Sequence, residues 1–417
     1  MDQRYYEAFD RLKSLGYDLF LLSDGSFEPR EGYFEEYYRH DLRKTKLILD
    51  FFQKIPIKFD AVTMQFSDFL TPLVSLLARQ FGCIGNSPET AFCCRSKYHM
   101  RKRLEEKGVP SPKFCLCHDF EELKAGIEKI GIPCVAKPIG GNGSYGTFLV
   151  SSDMTEVQIK EAYDKSISFL KGKSLHEDIF AFTKEELGLF GVEDSVDMVC
   201  DYLVEEYMAG HEISVDALVQ NGEVTIMGIE EQIRMEPPYF VQLAGRMPYE
   251  CDSAKLSVIE ALIKKTISAM GIKNSATHTE IIFTSEGPKI VEIGCRFGGD
   301  DIHDKIIHIT GYNMMLELVM IALGVKRDFE IKTICHTYME YLLPHKKGIL
   351  KKVILPPELY SSPEVIEIFL FSKEGDPVSP PPDSFDFLGY LVTKGATPHE
   401  AEENMKKVMK QIQVIIA

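Results

Sequence analysis

The chain reads as a mixed α/β (α+β) protein of two to three domains, and three observations carry that reading. Helix-like and strand-like segments alternate through the first hundred residues, which is the rhythm of a parallel sheet with crossover helices. Two antiparallel hairpins follow farther along, one turned by Asn221-Gly222 and one centred on Glu286. The length, 417 residues, exceeds what one hydrophobic core usually organises.

Taken in order, the spacing predicts an amphipathic helix over 5–15 and a buried strand over 17–22 that stops at Ser23-Asp24-Gly25. A helix over 41–53, a strand over 59–64 and a helix over 69–81 continue the alternation. A parallel sheet ordinarily opens on a strand, so an opening strand is either missing or trimmed from this chain. A helix over 96–107 ends at Gly108-Val109-Pro110, where glycine and then proline interrupt the backbone pattern. Strands over 133–138 and 147–151 flank a glycine-dense turn, and the polar, helical stretch 155–197 reads as an insertion in a mobile subdomain. A strand over 201–206 leads to the first hairpin, 212–218 with 224–229, and the second pairs 276–284 with 288–296. A helix near 313–323 precedes short strands, a proline-rich loop over 377–382 and a last helix over 398–411.

Composition excludes several classes. The formal charge of −16 would repel nucleic acid and anionic lipid from most of the surface, so neither is an expected partner. No apolar run approaches the roughly 20 residues that cross a bilayer, and Asp2, Glu7 and Asp10 do not fit a signal peptide, so a cytoplasmic protein is expected. Ten cysteines lack any framework of spacings and should stay reduced. The closest, Cys93-Cys94 and Cys115-Leu116-Cys117, have no zinc-spaced partners and read as small core residues.

The chemistry lies in three stretches. Lys137-Pro138-Ile139-Gly140-Gly141-Asn142-Gly143-Ser144-Tyr145-Gly146 puts a lysine at a strand end ahead of four glycines, whose backbone N–H groups can approach phosphate oxygens. It is not a P-loop, since the lysine precedes the glycines, and such a tip is also compatible with a plain turn. In the second hairpin Glu280 and Glu292 are equidistant from Glu286, so the simplest register sets them opposite each other. Two facing carboxylates repel unless they share a divalent cation, and Mg²⁺ takes one or two protein carboxylates plus phosphate and water. By the two-residue period Arg296 falls on the face of Glu292, with Gly294 leaving room between them. The bland alternative is an exposed hairpin with solvated charges. The third stretch, Leu203-Val204-Glu205-Glu206-Tyr207-Met208-Ala209-Gly210-His211-Glu212, can offer backbone groups to a purine edge and a carboxylate to ribose hydroxyls.

The order of these features, with Lys97 before a helix and Val291-Glu292-Ile293-Gly294-Cys295-Arg296-Phe297-Gly298-Gly299-Asp300 closing the second hairpin, resembles the ATP-grasp superfamily from about residue 88 to 323. The resemblance implies an ATP-grasp fold with an N-terminal parallel α/β domain (1–92), an ATP-grasp domain (93–331) with a glycine-rich lid (about 133–206), and a small closing module (332–417). It implies ATP and Mg²⁺ as cofactors, with Mn²⁺ as an alternative. Lys97 and Lys137 would contact the phosphates with Gly141, Gly143 and Ser144. Glu205, Glu206 and Met208 would contact the nucleotide at its adenine, Glu212 the ribose, Glu280 and Glu292 the metal, and Arg296 the acyl phosphate. Family members often carry asparagine at the position of Gly294 as a further metal ligand, and Asp300 or Asp301 would have to compensate.

Within the superfamily the chain looks most like the L-amino-acid ligases. Gly298-Gly299-Asp300-Asp301, Gly375-Asp376, Gly395-Ala396-Thr397 and Pro238-Tyr239-Phe240-Val241-Gln242 carry that likeness. It implies ATP-dependent conversion of a small carboxylate to an acyl phosphate, followed by amine attack to give an amide or dipeptide. Relatives tend to hold the amino acid with glutamate and histidine in the loop 234–248, where this chain has Gln242 and Arg246. Arg234 or Arg246 would then recognise a second carboxylate, with Gln242, Gly298 and Gly299 nearby; a solvent-exposed arginine is the alternative. An ATP-grasp carboxylase or purine-pathway ligase would share the ATP and metal residues. A non-catalytic ATP-binding regulator has less need of Glu280, Glu292 and Arg296 together. A homodimer is the commonest closed assembly.

Overall fold

The computed structural model describes residues 3–26, 28–64, 67–141, 143–144, 146–175, 182–194, 196–235, 240–299, 302–381 and 387–417. The opening helix, Gln3–Ser14, leads into two parallel strands, Phe20–Ser23 and Glu36–Arg39, flanked by helices Thr45–Phe52 and Thr71–Phe81. The strand expected over 59–64 does not form. Phe59 and Val62 do pack against Ile48, Phe52, Leu73 and Leu77. An apolar pattern decides burial but does not by itself form a ladder, and the small parallel sheet here consists of Phe20–Ser23 and Glu36–Arg39.

Helices Pro88–Arg95 and Lys97–Glu106 meet at Ser96, whose extended backbone (φ −96°, ψ 112°) breaks the run between them. A four-stranded antiparallel sheet follows, in the order Phe114–Cys117, Tyr202–Glu206, Cys134–Pro138, Phe148–Val150. Its strand Phe114–Cys117 is unforeseen, as is the helix Phe120–Ile130, although Asp119 at its N-cap and the apolar spacing Phe120, Leu123, Ile127, Ile130 do announce it. The helical stretch expected over 155–197 resolves into Glu156–Leu175 and Lys184–Phe190, with 176–181 and 195 outside the described residues. Leu123, Ala136, Val150, Leu170 and Val204 form the core beneath this sheet.

The second sheet has eight antiparallel strands: Gly287–Gly294, Asn274–Thr284, His211–Gln220, Glu223–Arg234, Gln242–Met247, His336–Leu342, Gly389–Gly395 and Val365–Leu370. Both expected hairpins are present; the first is longer than expected, and the second begins earlier and ends at Gly294, two residues before the expected Arg296. The segment 234–248, expected as a loop, contains a strand paired on both sides, because its neighbours supply the ladder that its mixed sequence does not announce. The helix Ser253–Met270, also unforeseen, packs Ile259, Ile263 and Ile267 under Ile213, Val215 and Ile281. On the opposite face, helices Ile302–Thr310 and Met314–Ala322 cover Leu218 and Ala276.

The strands after residue 332 extend this large sheet, and a three-stranded sheet, Pro377–Val378, Gly348–Ile354, Gln413–Ile416, sits beside it. Part of the expected proline-rich loop is therefore ladder, since Pro377 pairs with Ile349; Pro382 lies outside the described residues. The last helix, Pro398–Met409, is capped by Thr397 and buries Ala401, Met405 and Val408. All ten cysteines are free thiols, with Cys93, Cys94 and Cys117 buried. Among the described residues no helix is long and apolar enough to cross a membrane.

Candidate active site

Polarity changes along one face of the large sheet. On the strands His211–Gln220 and Asn274–Thr284 the same face carries Leu218 and Ala276 under the helices, then Asp216 beside His278, then Ser214 beside Glu280, then Glu212 beside Ile282. The polar end of that face opens into a cavity of about 1140 Å³, bordered by the four-stranded sheet. Of the residues singled out from sequence, Lys97, Lys137, Gly141, Gly143, Ser144, Glu205, Glu206, Met208, Glu212, Arg234, Gln242, Glu280 and Glu292 line it. Arg246, Arg296, Gly298 and Gly299 do not. Asn142, Tyr145, Pro238, Tyr239, Asp300 and Asp301 lie outside the described residues.

Each lysine at the phosphate end already has partners. Lys137 Nζ is 2.6 Å from Glu205, which Arg101 also grips from Nε at 2.7 Å. All three are buried. Burial acts to raise the Glu205 carboxyl, but Arg101 and Lys137 outweigh it and hold it below the usual range; burial pulls Lys137 down against the pull of Glu205. Glu205 therefore has no free carboxylate for adenine, and its backbone is in a ladder on both sides. The polar edge open to a base is the linker after the strand, at Tyr207 and Met208, both on the cavity wall. Glu206 is tied to Lys289 at 3.3 Å.

The glycine-rich turn is shaped by close approach. A Cβ on Gly140 would stand 2.2 Å from the carbonyl oxygen of Met198, and Gly146 adopts φ +77° against Ser166. Arg95 donates to the Gly140 carbonyl and Lys97 Nζ to that of Gly141, while the Lys97 amide donates to Ile139. The break at Ser96 thus lets two successive basic residues hold the base of the turn.

Glu280 and Glu292 are register partners, as expected, with a bulge immediately after Glu280. Their side chains are 27% and 31% exposed, open to a ligand, and Lys97 Nζ stands 3.2 Å from Glu292. Among the described residues no group of three or more acids, histidines or cysteines is arranged to hold a metal ion by itself. Two carboxylates in register fit Mg²⁺ that arrives with a nucleotide, since phosphate and water then complete its shell. The row continues inward, Glu280 to Ser214 to Glu230 across adjacent strands, and ends on the fully buried Lys305 ammonium. Glu230 fits there only because Gly245 has no side chain; a Cβ would stand 2.3 Å from its oxygen.

Glu212 is bound by Arg234, which also reaches Gln232. Burial pushes the Glu212 carboxyl up to about 8, Arg234 opposes this and Glu280 adds to it. His278 is held by Asp216 at 2.9 Å, and Asp216 also accepts from the Gly298 amide. Gly298 is a packing position, since a Cβ would stand 2.7 Å from His278. Arg246 spends its guanidinium on Glu231 and Glu402, so it staples the last helix to the sheet and is not free for a substrate.

Arg296 departs from the alternation argument. The ladder ends at Gly294, so strand periodicity no longer directs its side chain. Asp68 does, at 2.6 Å, with Nη1 donating to the Phe297 carbonyl. Asp68, Arg95, Arg101 and the pair Glu230–Lys305 are site residues that the sequence pattern does not single out. Arg101 carries one signal, a charge in a helix four residues after Lys97; the others carry none.

The comparisons agree with this geometry. A family model described as the ATP-grasp domain matches residues 130–304, and one described as L-amino acid ligase C-terminal domain 2 matches residues 340–417. The L-arginine-specific L-amino acid ligase of Bacillus subtilis is 26% identical over 305 residues, 72% of this chain and 67% of that one. The alanine–anticapsin ligase of Bacillus subtilis (strain 168) is 22% identical over 387 residues, 85% of this chain and 77% of that one. The crystal structure of the L-amino acid ligase from Bacillus licheniformis superposes with a TM-score of 0.79 at 19% identity, covering 98% of this chain and 95% of that one. A phosphoribosylglycinamide synthetase from Anaerococcus prevotii superposes at 0.68 with 16% identity, which reflects the shared fold. The chain carries an ATP-grasp domain and an L-amino acid ligase C-terminal domain 2, the make-up of an ATP-dependent carboxylate–amine ligase, and it is similar to the L-amino acid ligases.

Proposed function

We propose that the enzyme activates the carboxylate of a small amino acid as an acyl phosphate and joins it to the amine of a second amino acid. The observation that carries this reading is the register pair Glu280 and Glu292, with Lys97 on Glu292 and Lys137 on the same cavity wall. Lys97 and Lys137 would take phosphate oxygens of ATP, and the amides of the glycine-rich turn would do the same. Glu280 and Glu292 would hold Mg²⁺ or Mn²⁺, which when bound withdraws charge from the phosphates. A substrate carboxylate oxygen attacks the γ-phosphorus and ADP leaves. The amine nitrogen then attacks the acyl carbon, phosphate leaves and the nitrogen loses a proton. Arg296 would neutralise the acyl phosphate, and closure of the turn over the cavity would keep water from hydrolysing it.

The C-terminal match favours this over a carboxylase or purine-pathway ligase, whose likeness here extends to the fold. The reading includes a cytoplasmic location, in line with the charge of −16 and ten free thiols. The test is ADP and phosphate release with Mg²⁺, ATP and pairs of L-amino acids, with bicarbonate and simple amines alongside. Pair-dependent ADP release with a product of the dipeptide mass is expected. Turnover with bicarbonate alone, or ATP binding without turnover on any pair, would overturn it.

A further inference from the structure

Asp68 begins a single 3-10 turn, Asp68–Leu70, ahead of the helix Thr71–Phe81, yet its carboxylate reaches a residue 228 positions later. Oδ2 accepts from Arg296 Nη2 at 2.6 Å, and Oδ1 lies 3.0 Å from where a Cβ on Gly294 would stand. The residue without a side chain makes room for the carboxylate. Burial acts to raise the Asp68 carboxyl, but Arg296, Arg95 and Lys97 outweigh it and keep it ionised.

Arg95, Lys97 and Arg296 here surround Asp68 and Glu292, and Asp216, itself bonded to His278, also acts on Arg296. The Nε of Arg296 and the Nε of Arg95 are buried without a hydrogen-bond partner. Unfilled buried donors are costly, and a substrate carboxylate would fill them. An amino acid also brings an ammonium about 3 Å from its own carboxylate, and that ammonium needs an anion once desolvated. Glu292 is claimed by Lys97 and by the metal of the proposed reaction. Among the described residues Asp216 is held by His278 and the Gly298 amide, which leaves Asp68, directly beside Arg296.

We infer that Asp68 is a specificity-determining residue: it accepts the α-ammonium of the amino acid activated at Arg296, so one zwitterion replaces the Asp68–Arg296 ion pair of the free enzyme. The inference rests on the ligase reading of the same site. The activated acid must then carry a free α-amino group, and it becomes the N-terminal half of the product.

Hydroxylamine in place of the amine substrate tests this, because it traps only the activated acid, as a hydroxamate. The donors compared are L-alanine against propionate, and the corresponding pair for whichever L-amino acid releases most ADP. The wild-type enzyme should prefer the amino acid by at least about 100-fold in kcat/KM, since a site built around a polar group rejects the analogue that lacks it. Asp68→Asn should cut that preference at least about tenfold through KM for the amino acid. Gly294→Ala, which keeps the charge but crowds it, should raise the same KM. Asp68→Asn with the full preference retained, or with both donors lost equally through kcat, would overturn the inference and leave the ligase reading standing. No hydroxamate from wild-type enzyme with any donor would sink both.

Discussion

At the nucleotide end of the cavity the cations are neutralised by carboxylates from neighbouring strands and helices: Lys137 by Glu205, Lys97 by Glu292, with Arg101 completing the buried cluster. At the proposed substrate end, outside the residues that line the cavity, Arg296 pairs with Asp68, from the N-terminal segment, and the other candidate arginines are spent elsewhere, Arg234 on Glu212 and Arg246 on Glu231 and Glu402. The first arrangement holds a charged ligand site together when no ligand is bound, because each buried cation keeps a partner. The second would tie substrate recognition to how the N-terminal segment meets the large sheet, with Lys97 shared between the two ends.

The comparison is broken most directly at the metal pair. Glu292→Ala should lower ADP release at least about 1000-fold, as expected when a transition-state electrostatic group is removed, while the fold survives because its side chain is 31% exposed. Coupled-assay turnover together with thermal unfolding checks both halves. Next in size is Arg101→Ala, which leaves Glu205 with Lys137 alone in a buried site and should cost about 3–5 kcal/mol of stability by denaturant titration. A loss below about 1 kcal/mol would mean that the cluster is less dry than its burial implies.

A smaller effect concerns pH. The folded Glu212 carboxyl is raised from 4.5 to about 8, so the folded state binds the extra proton between those values. Its contribution to stability is therefore full below about pH 4.5 and is lost as pH rises through about 8. Glu212→Gln should flatten the decline in denaturation midpoint between pH 5 and 8 that the ligand-free enzyme shows, whereas an unchanged slope would place the titration elsewhere. The smallest effect is expected at Arg246→Ala, which should leave KM for every substrate within about twofold and mainly loosen the last helix. A tenfold rise in KM for a dicarboxylic amino acid would instead return Arg246 to the substrate site.

Much of the nucleotide end is legible in the amino-acid sequence, because its groups sit close together along the chain: Lys137 ahead of its glycines, and Glu280 and Glu292 at equal distance from a turn. Hairpin pairing is local, but the ladder closes symmetrically about Ser285-Glu286, with Thr284 opposite Gly287, and it is the bulge after Glu280 that brings Glu292 opposite Glu280. The same logic fails at Arg296, where the ladder stops two residues short, and at Glu205, whose carboxylate turns inward to Arg101. It fails for 59–64 as well, where apolar side chains enter a core without forming a strand.

By itself the sequence determined the two hairpins and the lysine-led turn, since each follows from spacing along one segment, whereas the facing of Glu280 and Glu292 also needed the bulge after Glu280. Only the tertiary structure decided that Asp68 meets Arg296 over Gly294, that Glu230 meets Lys305, and that Arg246 serves the last helix. Those contacts join segments far apart in the chain, and their geometry depends on how whole sheets and helices pack, which no local pattern of residues encodes.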